Sequence, residues 1–186
     1  GNYNGLNPAN VTVTNTDDDA AGITVSAISG NTTEAGGTAT FTVVLDAQPT
    51  ADVTVGLSSS DTTEGTVSPA SVTFTSANWN TPQTVTVTGV NDSLDDGDIA
   101  FSIVTAAAAS ADGNYNGLNP ANVAATNIDD DASGITVSAV NGNTTEAGGT
   151  ATFTVVLDAQ PTADVTVGLS SSDTTEGTVI PASVTF

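Results

Sequence analysis

The sequence predicts an all-β protein: tandem immunoglobulin-like antiparallel β-sandwiches, about seven strands to a unit. Three observations predict it. Thr, Val, Ala, Ser, Asn and Gly dominate the 186 residues; β-branched Val and Thr favour strands, and Asn, Asp and Gly favour turns. Short runs alternate apolar and polar residues, the period of a half-buried strand. And the chain repeats itself: residues 1–74 align with 113–186 at an offset of 112, differing only at Thr12/Ala124, Val13/Ala125, Thr16/Ile128, Ala21/Ser133, Ile28/Val140, Ser29/Asn141 and Ser68/Ile180, so 74 − 7 = 67 positions match.

The alternating runs are, in order, 22–28 (GITVSAI), 38–46 (TATFTVVLD), 51–58 (ADVTVGLS), 70–75 (ASVTFT), 82–90 (PQTVTVTGV), 99–105 (IAFSIVT) and 121–128 (ANVAATNI). In the second run Ala39, Phe41, Val43 and Leu45 share one face, and Thr38, Thr40 and Thr42 the other. Gly, Pro, Asn and Asp separate the runs, the punctuation of a β-sandwich. A repeat of 112 residues is far longer than the roughly 20–50 of a solenoid and can hold its own core, so the array reads as beads on a string. The complete bead is 20–131. Residues 1–19 read as the last strand and linker of a preceding bead, and 132–186, with four or so strands, as the first half of a following one. A second reading takes the chain as a whole subunit completed by strand exchange between neighbours.

Composition limits function. There are 21 Asp and Glu and no Lys, Arg, His or Cys, a formal net charge of −21. Nucleic acid needs Lys and Arg for its phosphates, so it is not an expected partner. An anionic membrane surface would be repelled too, and no run approaches the roughly 20 apolar residues of a transmembrane helix. Catalysis would have to run on carboxylates alone, as in glycosidases, which flank a cleft with an acid and a base; here the acids lie in repeated turns, and an enzyme is not expected.

The acids of the bead fall in four places: Glu34 in NTTEAGGT, Asp61 and Glu64 in SSSDTTEGT, Asp92, Asp95, Asp96 and Asp98 in NDSLDDGD, and Asp129, Asp130 and Asp131 at its end. Sandwich loops gather at the two ends, and four acidic loops at one end would supply the six to eight oxygens that Ca²⁺ takes. Metals that prefer sulfur or nitrogen lack their ligands here, and Mg²⁺, which keeps its waters, fits less well. NDSLDDGD is not an EF-hand loop, because Leu94 and Ile103 stand where oxygen ligands belong. Asp46, Asp52 and Asp112, scattered singly, read as solvated turn residues.

The motifs TTEAGGTATFTVVL, SSSDTTEGT, NWNTPQTVTVTGVNDSLDDGD and the closing DDD resemble, in order and spacing, the Calx-beta domain of sodium/calcium exchangers, integrin β4 and very large bacterial surface proteins. The resemblance spans the whole 112-residue unit. It implies Ca²⁺ at one end of the sandwich, between one domain and the next. The matching positions are Glu34, Asp61, Asp92, Asp96, Asp129, Asp130 and Asp131, with Glu146 and Asp173 repeating the first two in the following unit and Asp17, Asp18 and Asp19 serving the unit before. Asn91 stands where the family often has a second acid. The expected function is that of an extracellular or cell-surface fibre, adhesin stalk or biofilm-matrix protein stiffened by Ca²⁺ at its junctions, with a Ca²⁺-sensing module as the alternative. The expected partners are neighbouring repeats or identical subunits, and cell-surface or matrix glycans.

Smaller features carry less. Trp79 is expected to pack on the sandwich near Pro82, with a sugar-stacking platform as the second reading. Tyr115, in NYNGLNP, is expected to be partly buried in a turn. The triplets at 10–12, 31–33, 91–93 and 143–145 fit the N-glycosylation pattern, as chance triplets in an Asn- and Thr-rich chain do.

Overall fold

A computed structural model describes residues 1–186. The chain is all-β, and residues 20–131 form a β-sandwich. Ten strands make it: β1 (Ile23–Val25), β2 (Thr32–Thr33), β3 (Thr38–Leu45), β4 (Val53–Ser59), β5 (Gly65–Ser68), β6 (Ser71–Phe74), β7 (Gln83–Gly89), β8 (Ile99–Thr105), β9 (Ala109–Ser110) and β10 (Val123–Ile128). Each of the seven alternating runs holds one strand. The count of seven needs correction, because β2, β5 and β9 add to it; two-residue bridges and a strand embedded in SSSDTTEGTVSPA are too short to show a period.

One sheet runs β1-β3-β7-β5 and the other β2-β10-β8-β4-β6, with β9 also on β4. All pairs are antiparallel except β2 with β10. Alternation buries Ala39, Phe41, Val43 and Leu45 from β3 against Val53, Val55 and Leu57 from β4, Phe101 and Ile103 from β8, and Val123 and Ala125 from β10. Trp79 packs half-buried against this core.

The sandwich has a polarity that positions the site. Strand β1 enters opposite the end of β3, Ile23 pairing with Leu45. At the other end of β3, Thr38 pairs with Thr88, and Gly37 accepts a hydrogen bond from Gly89 N–H. Strand β10 finishes at that same end, Ile128 pairing with Thr33. The chain therefore enters the bead at one end and leaves it at the other, about 26 Å away for the eight residues of β3. A linker from Asp131 to Ile135 spans at most about 14 Å, so 132–186 cannot fold back as the first strands of the same bead.

Segments 132–186 and 20–74 show what local sequence decides. Strands β11 (Ile135–Val137) and β12 (Val155–Leu157) pair in the register of β1 and β3, and β13 (Thr166–Gly168) and β14 (Ser183–Thr185) in that of β4 and β6. Yet β12 has three residues where β3 has eight, because β7, which pairs along β3, has no counterpart there. Ile135, Val137 and Val156 stay exposed. Residues 1–19 form no strand and are exposed throughout, whereas their counterpart 113–131 contains β10; in this chain no neighbouring strands receive them.

Two expectations about single residues change. Tyr115 is fully buried, and its hydroxyl donates to Ala47 O at 2.5 Å and accepts from Ala47 N at 3.1 Å. Asp112 is not a solvated turn residue but is buried, accepting from Thr50 N at 2.8 Å and Asn114 N at 2.9 Å. These amides hold its carboxyl below the usual carboxylate range. Because the folded pKa is depressed, its stabilisation is present above the unfolded value of about 3.9 and is lost as pH falls through the folded value. Asp112→Asn should therefore destabilise the bead at neutral pH and flatten the acid limb of its stability–pH curve, measured by denaturant melts; an unchanged limb would remove this role.

Candidate metal centre

The acidic end is assembled by strand termini. Glu34 follows β2, and its amide donates to Ile128 O at 3.0 Å. Glu64 precedes β5, its carbonyl accepting from Val90 N at 3.0 Å. Asp92 follows β7, and Asp131 follows β10. Gly89 makes the close approach possible: a Cβ there would lie 2.2 Å from Thr33 O and 2.4 Å from Asn127 Oδ1. The end of β7 can thus press against β2 and β10, and Asp92 reaches across to Glu34.

Two carboxylate groups result, Glu34 with Asp92 and Asp131, and Glu64 with Asp92 and Asp96; in each, one oxygen per residue lies within 4.8 Å of the others. Oxygens bound to one Ca²⁺ at 2.3–2.6 Å can be at most about 5 Å apart, so both groups fit a shared ion. Glu34 is 2% exposed, yet its Oε2 has no hydrogen-bond partner; neither does the buried Oδ2 of Asp131. A buried carboxylate oxygen without a partner is costly, and this chain has no Lys, Arg or His to offset it. The donor set and the orphaned atoms fit a hard divalent cation.

The electrostatics agree. Burial pushes the Glu34 carboxyl up; the Asp130 backbone amide partly offsets this, and the charges of Asp92, Asp129 and Asp131 add to it. Glu64 is raised by burial, then lowered in part by Asn127 and raised by Asp96, Asp61 and Asp92. Asp131 is raised by desolvation and by Asp130, Asp129, Asp92 and Asp95.

Not every expected ligand joins. Asp61 uses its carboxylate on Thr63, accepting from N at 3.0 Å and Oγ1 at 2.6 Å. Asp129 accepts from Gly97 N and Asp131 N, both at 2.8 Å, and so ties the 92–98 loop to the end of the bead. Asp130 is exposed and joins neither carboxylate group; its part is the backbone amide that offsets some of the rise at Glu34. Asp17, Asp18, Asp19, Glu146 and Asp173 are all exposed and gather no cluster.

Two residues of this end are not among the ligand positions expected from the sequence, Glu64 having been placed only in its acidic loop. Glu64 is 6% exposed and takes the place expected of its neighbour Asp61; the signal was the tripeptide Thr62-Thr63-Glu64, which repeats Thr32-Thr33-Glu34. Asn127 is 1% exposed, donating to Val90 O at 2.9 Å and to Glu64 Oε2 at 3.4 Å, and accepting from Thr32 Oγ1 at 3.0 Å. Alternation from Val123 and Ala125 places it inward, a polar residue on the core face.

The exit from the bead adjoins this site. Ser133 donates from N at 2.7 Å and from Oγ at 2.5 Å to Asp95 Oδ2, and Gln160 N donates to Ser93 O at 2.7 Å. The acidic loop is thus in contact with the segment that follows.

No family model matches the chain, and no curated protein matches it. Among solved structures, the chain is similar to SSP-19, an MSP-domain protein-like family member of Caenorhabditis elegans, at 15% identity and a TM-score of 0.36 over 54% of this chain and 92% of that one. It is similar also to WR4, a C. elegans MSP family member, at 13% identity and a TM-score of 0.35 over 56% and 98%.

Proposed function

We propose that residues 20–131 are a Ca²⁺-binding, Calx-beta-like bead of a tandem array, and that the ion stiffens the junction with the next bead. The observation that carries this reading is Glu34, buried with an unpartnered oxygen beside Asp92 and Asp131 at the end where the chain leaves the sandwich. Glu34, Asp92 and Asp131 would hold one ion, and Glu64, Asp92 and Asp96 a second. Ca²⁺ would supply the positive charge that the chain lacks. Asn127 would orient Glu64, and Asp129 would hold the 92–98 loop in place.

Near-identical units suit length and mechanical uniformity, so the array is a structural or adhesive element of an extracellular or cell-surface fibre, with no catalytic role. A chain without Lys or Arg also gives trypsin-like proteases no site. Strand exchange between copies is a weaker reading: 1–19 of one chain and 132–186 of another carry no counterparts of β7 and β8, which lie inside the two sheets.

Calorimetric titration tests the site. Ca²⁺ should bind with a Kd on the order of 10⁻⁴–10⁻³ M, as in other extracellular modules, and Mg²⁺ more weakly. Glu34→Gln should weaken Ca²⁺ at least about tenfold, given the cost of losing one charged ligand. Absence of Ca²⁺ binding, or equal binding by the variant, would refute the assignment.

A further inference from the structure

The loop between β7 and β8 has two sides. On the bead side, Asp92 belongs to both carboxylate groups and Asp96 to one of them. Gly97 N donates to Asp129 Oδ2 at 2.8 Å, and Asp129 N donates to Asp98 Oδ1 at 3.2 Å, so the end of the loop is tied to the residues that close the bead. On the other side, Ser93 O accepts from Gln160 N at 2.7 Å, and Asp95 Oδ2 accepts from both N and Oγ of Ser133, the first at 2.7 Å. Asp95 joins neither carboxylate group.

The two sides are adjacent in sequence. Ser93 follows Asp92 directly, and Asp95 precedes Asp96 directly. Leu94 N donates to Asp92 Oδ1 at 2.7 Å and closes a tight turn around Ser93. A shift of Asp92 or Asp96 therefore carries Ser93 and Asp95 with it. The two donors come from separate parts of the following unit, Ser133 before β11 and Gln160 after β12, and the loop bridges them. A hydrogen bond to an ionised carboxylate is roughly twice as strong as a neutral one, so Asp95 makes the stronger of the two contacts.

We propose that Ser93 O and Asp95 form a docking surface for the unit that follows, and that the ions set its position. The inference rests on the Ca²⁺ reading above and adds to it the partner groups, the amides of Ser133 and Gln160. Without ions the repelling carboxylates let the loop drift, and the two acceptors lose their common placement. With ions, Asp92 and Asp96 fix the loop, and both amides meet their acceptors together. Such coupling is reciprocal: if the ions favour docking, docking tightens the ions by the same factor. Asp95 is thus a positioning residue and not a ligand. Its partner stands at one of the seven positions where the two copies differ, Ala21 being the counterpart of Ser133.

The test is amide hydrogen exchange of the full chain, followed by NMR in millimolar Ca²⁺ and in chelator. Exchange at the Ser133 and Gln160 amides should slow about tenfold in Ca²⁺, within the usual range of coupling between sites. Ser133→Ala removes no charge. It should reduce the slowing at Gln160, an amide it does not touch, and weaken Ca²⁺ about threefold through the reciprocal effect. Ser133→Thr keeps the hydroxyl and should restore both. Asp95→Ala should abolish the slowing at both amides, while the amides of β3 stay as protected as in the parent chain. The Glu34 and Asp92 resonances report the ion separately. If they shift with Ca²⁺ while exchange at Gln160 is unchanged, or if the slowing survives Asp95→Ala, the coupling is overturned and the metal centre stands. If they do not shift, the metal centre falls and the coupling falls with it.

Discussion

In millimolar Ca²⁺ the chain should melt several degrees above its temperature in chelator. An ion that binds only the folded bead stabilises it by RT ln(1 + [L]/Kd), about 1.4 kcal/mol at the tenfold excess that millimolar Ca²⁺ gives over a Kd of about 10⁻⁴ M, or roughly 5 °C for a unit of this size. The pH dependence gives the effect a signature. Glu34 and Glu64 have raised carboxyl pKa values in the folded bead without metal. Their protonated forms stabilise it fully below the unfolded value of about 4.3, and that stabilisation is lost as pH rises through the folded value. The gap between Ca²⁺ and chelator melts should therefore widen from acid to neutral pH. Glu34→Gln should close most of the gap, and should melt in chelator at or above the parent chain, because it removes a buried charge that lacks a partner. Equal melting with and without Ca²⁺ would remove the metal from the account.

The second large effect is on shape. Asp129, Asp130 and Asp131 lie between the last strand of the bead and the three-residue link to Ile135. Without ions their charges repel those of the 92–98 loop, only the exposed Ser133–Asp95 and Gln160–Ser93 hydrogen bonds oppose this, and the link should swing. With ions Asp131 is held to Glu34 and Asp92, and 132–186 should be fixed beyond the acidic end. Small-angle scattering across a Ca²⁺ titration should show the maximum dimension of the chain growing, toward about 40 Å per bead in an array, from strands of some 26 Å plus end loops. Replacing Asp129, Asp130 and Asp131 together with Asn should abolish the growth while leaving the sandwich folded, since β10 ends at Ile128. Growth that persists in the Asn variant would reduce the triple Asp to an acidic linker.

The strands were legible wherever alternation ran long enough to register. Phe41, Val43 and Leu45 declared their buried face in the sequence, and the same holds for Val85 and Val87. What was not legible depends on partners far away in the chain. Asp112 reads as one more turn residue in SADGNYN, and only Thr50, 62 positions earlier, makes it structural. Asp61 and Glu64 stand three residues apart in one loop, and the local turn at Thr63 decides which of them faces inward. Identical sequence also behaves differently with context. Glu34 is buried where β10 and β7 close over it, and Glu146, in the same octapeptide, is exposed. The acidic loops could be read as converging at one end. Which oxygens meet there depends on Gly89 and Asn127, whose effect is visible only once β2, β7 and β10 are side by side.

The most direct test is an anomalous-scattering map from crystals grown in millimolar Ca²⁺. A peak should appear enclosed by Glu34, Asp92 and Asp131, about 2.3–2.6 Å from their oxygens, with Glu34 Oε2 among the ligands and a second peak toward Glu64 and Asp96. A map with no peak at Glu34, the carboxylates standing as they do here, would contradict the metal assignment.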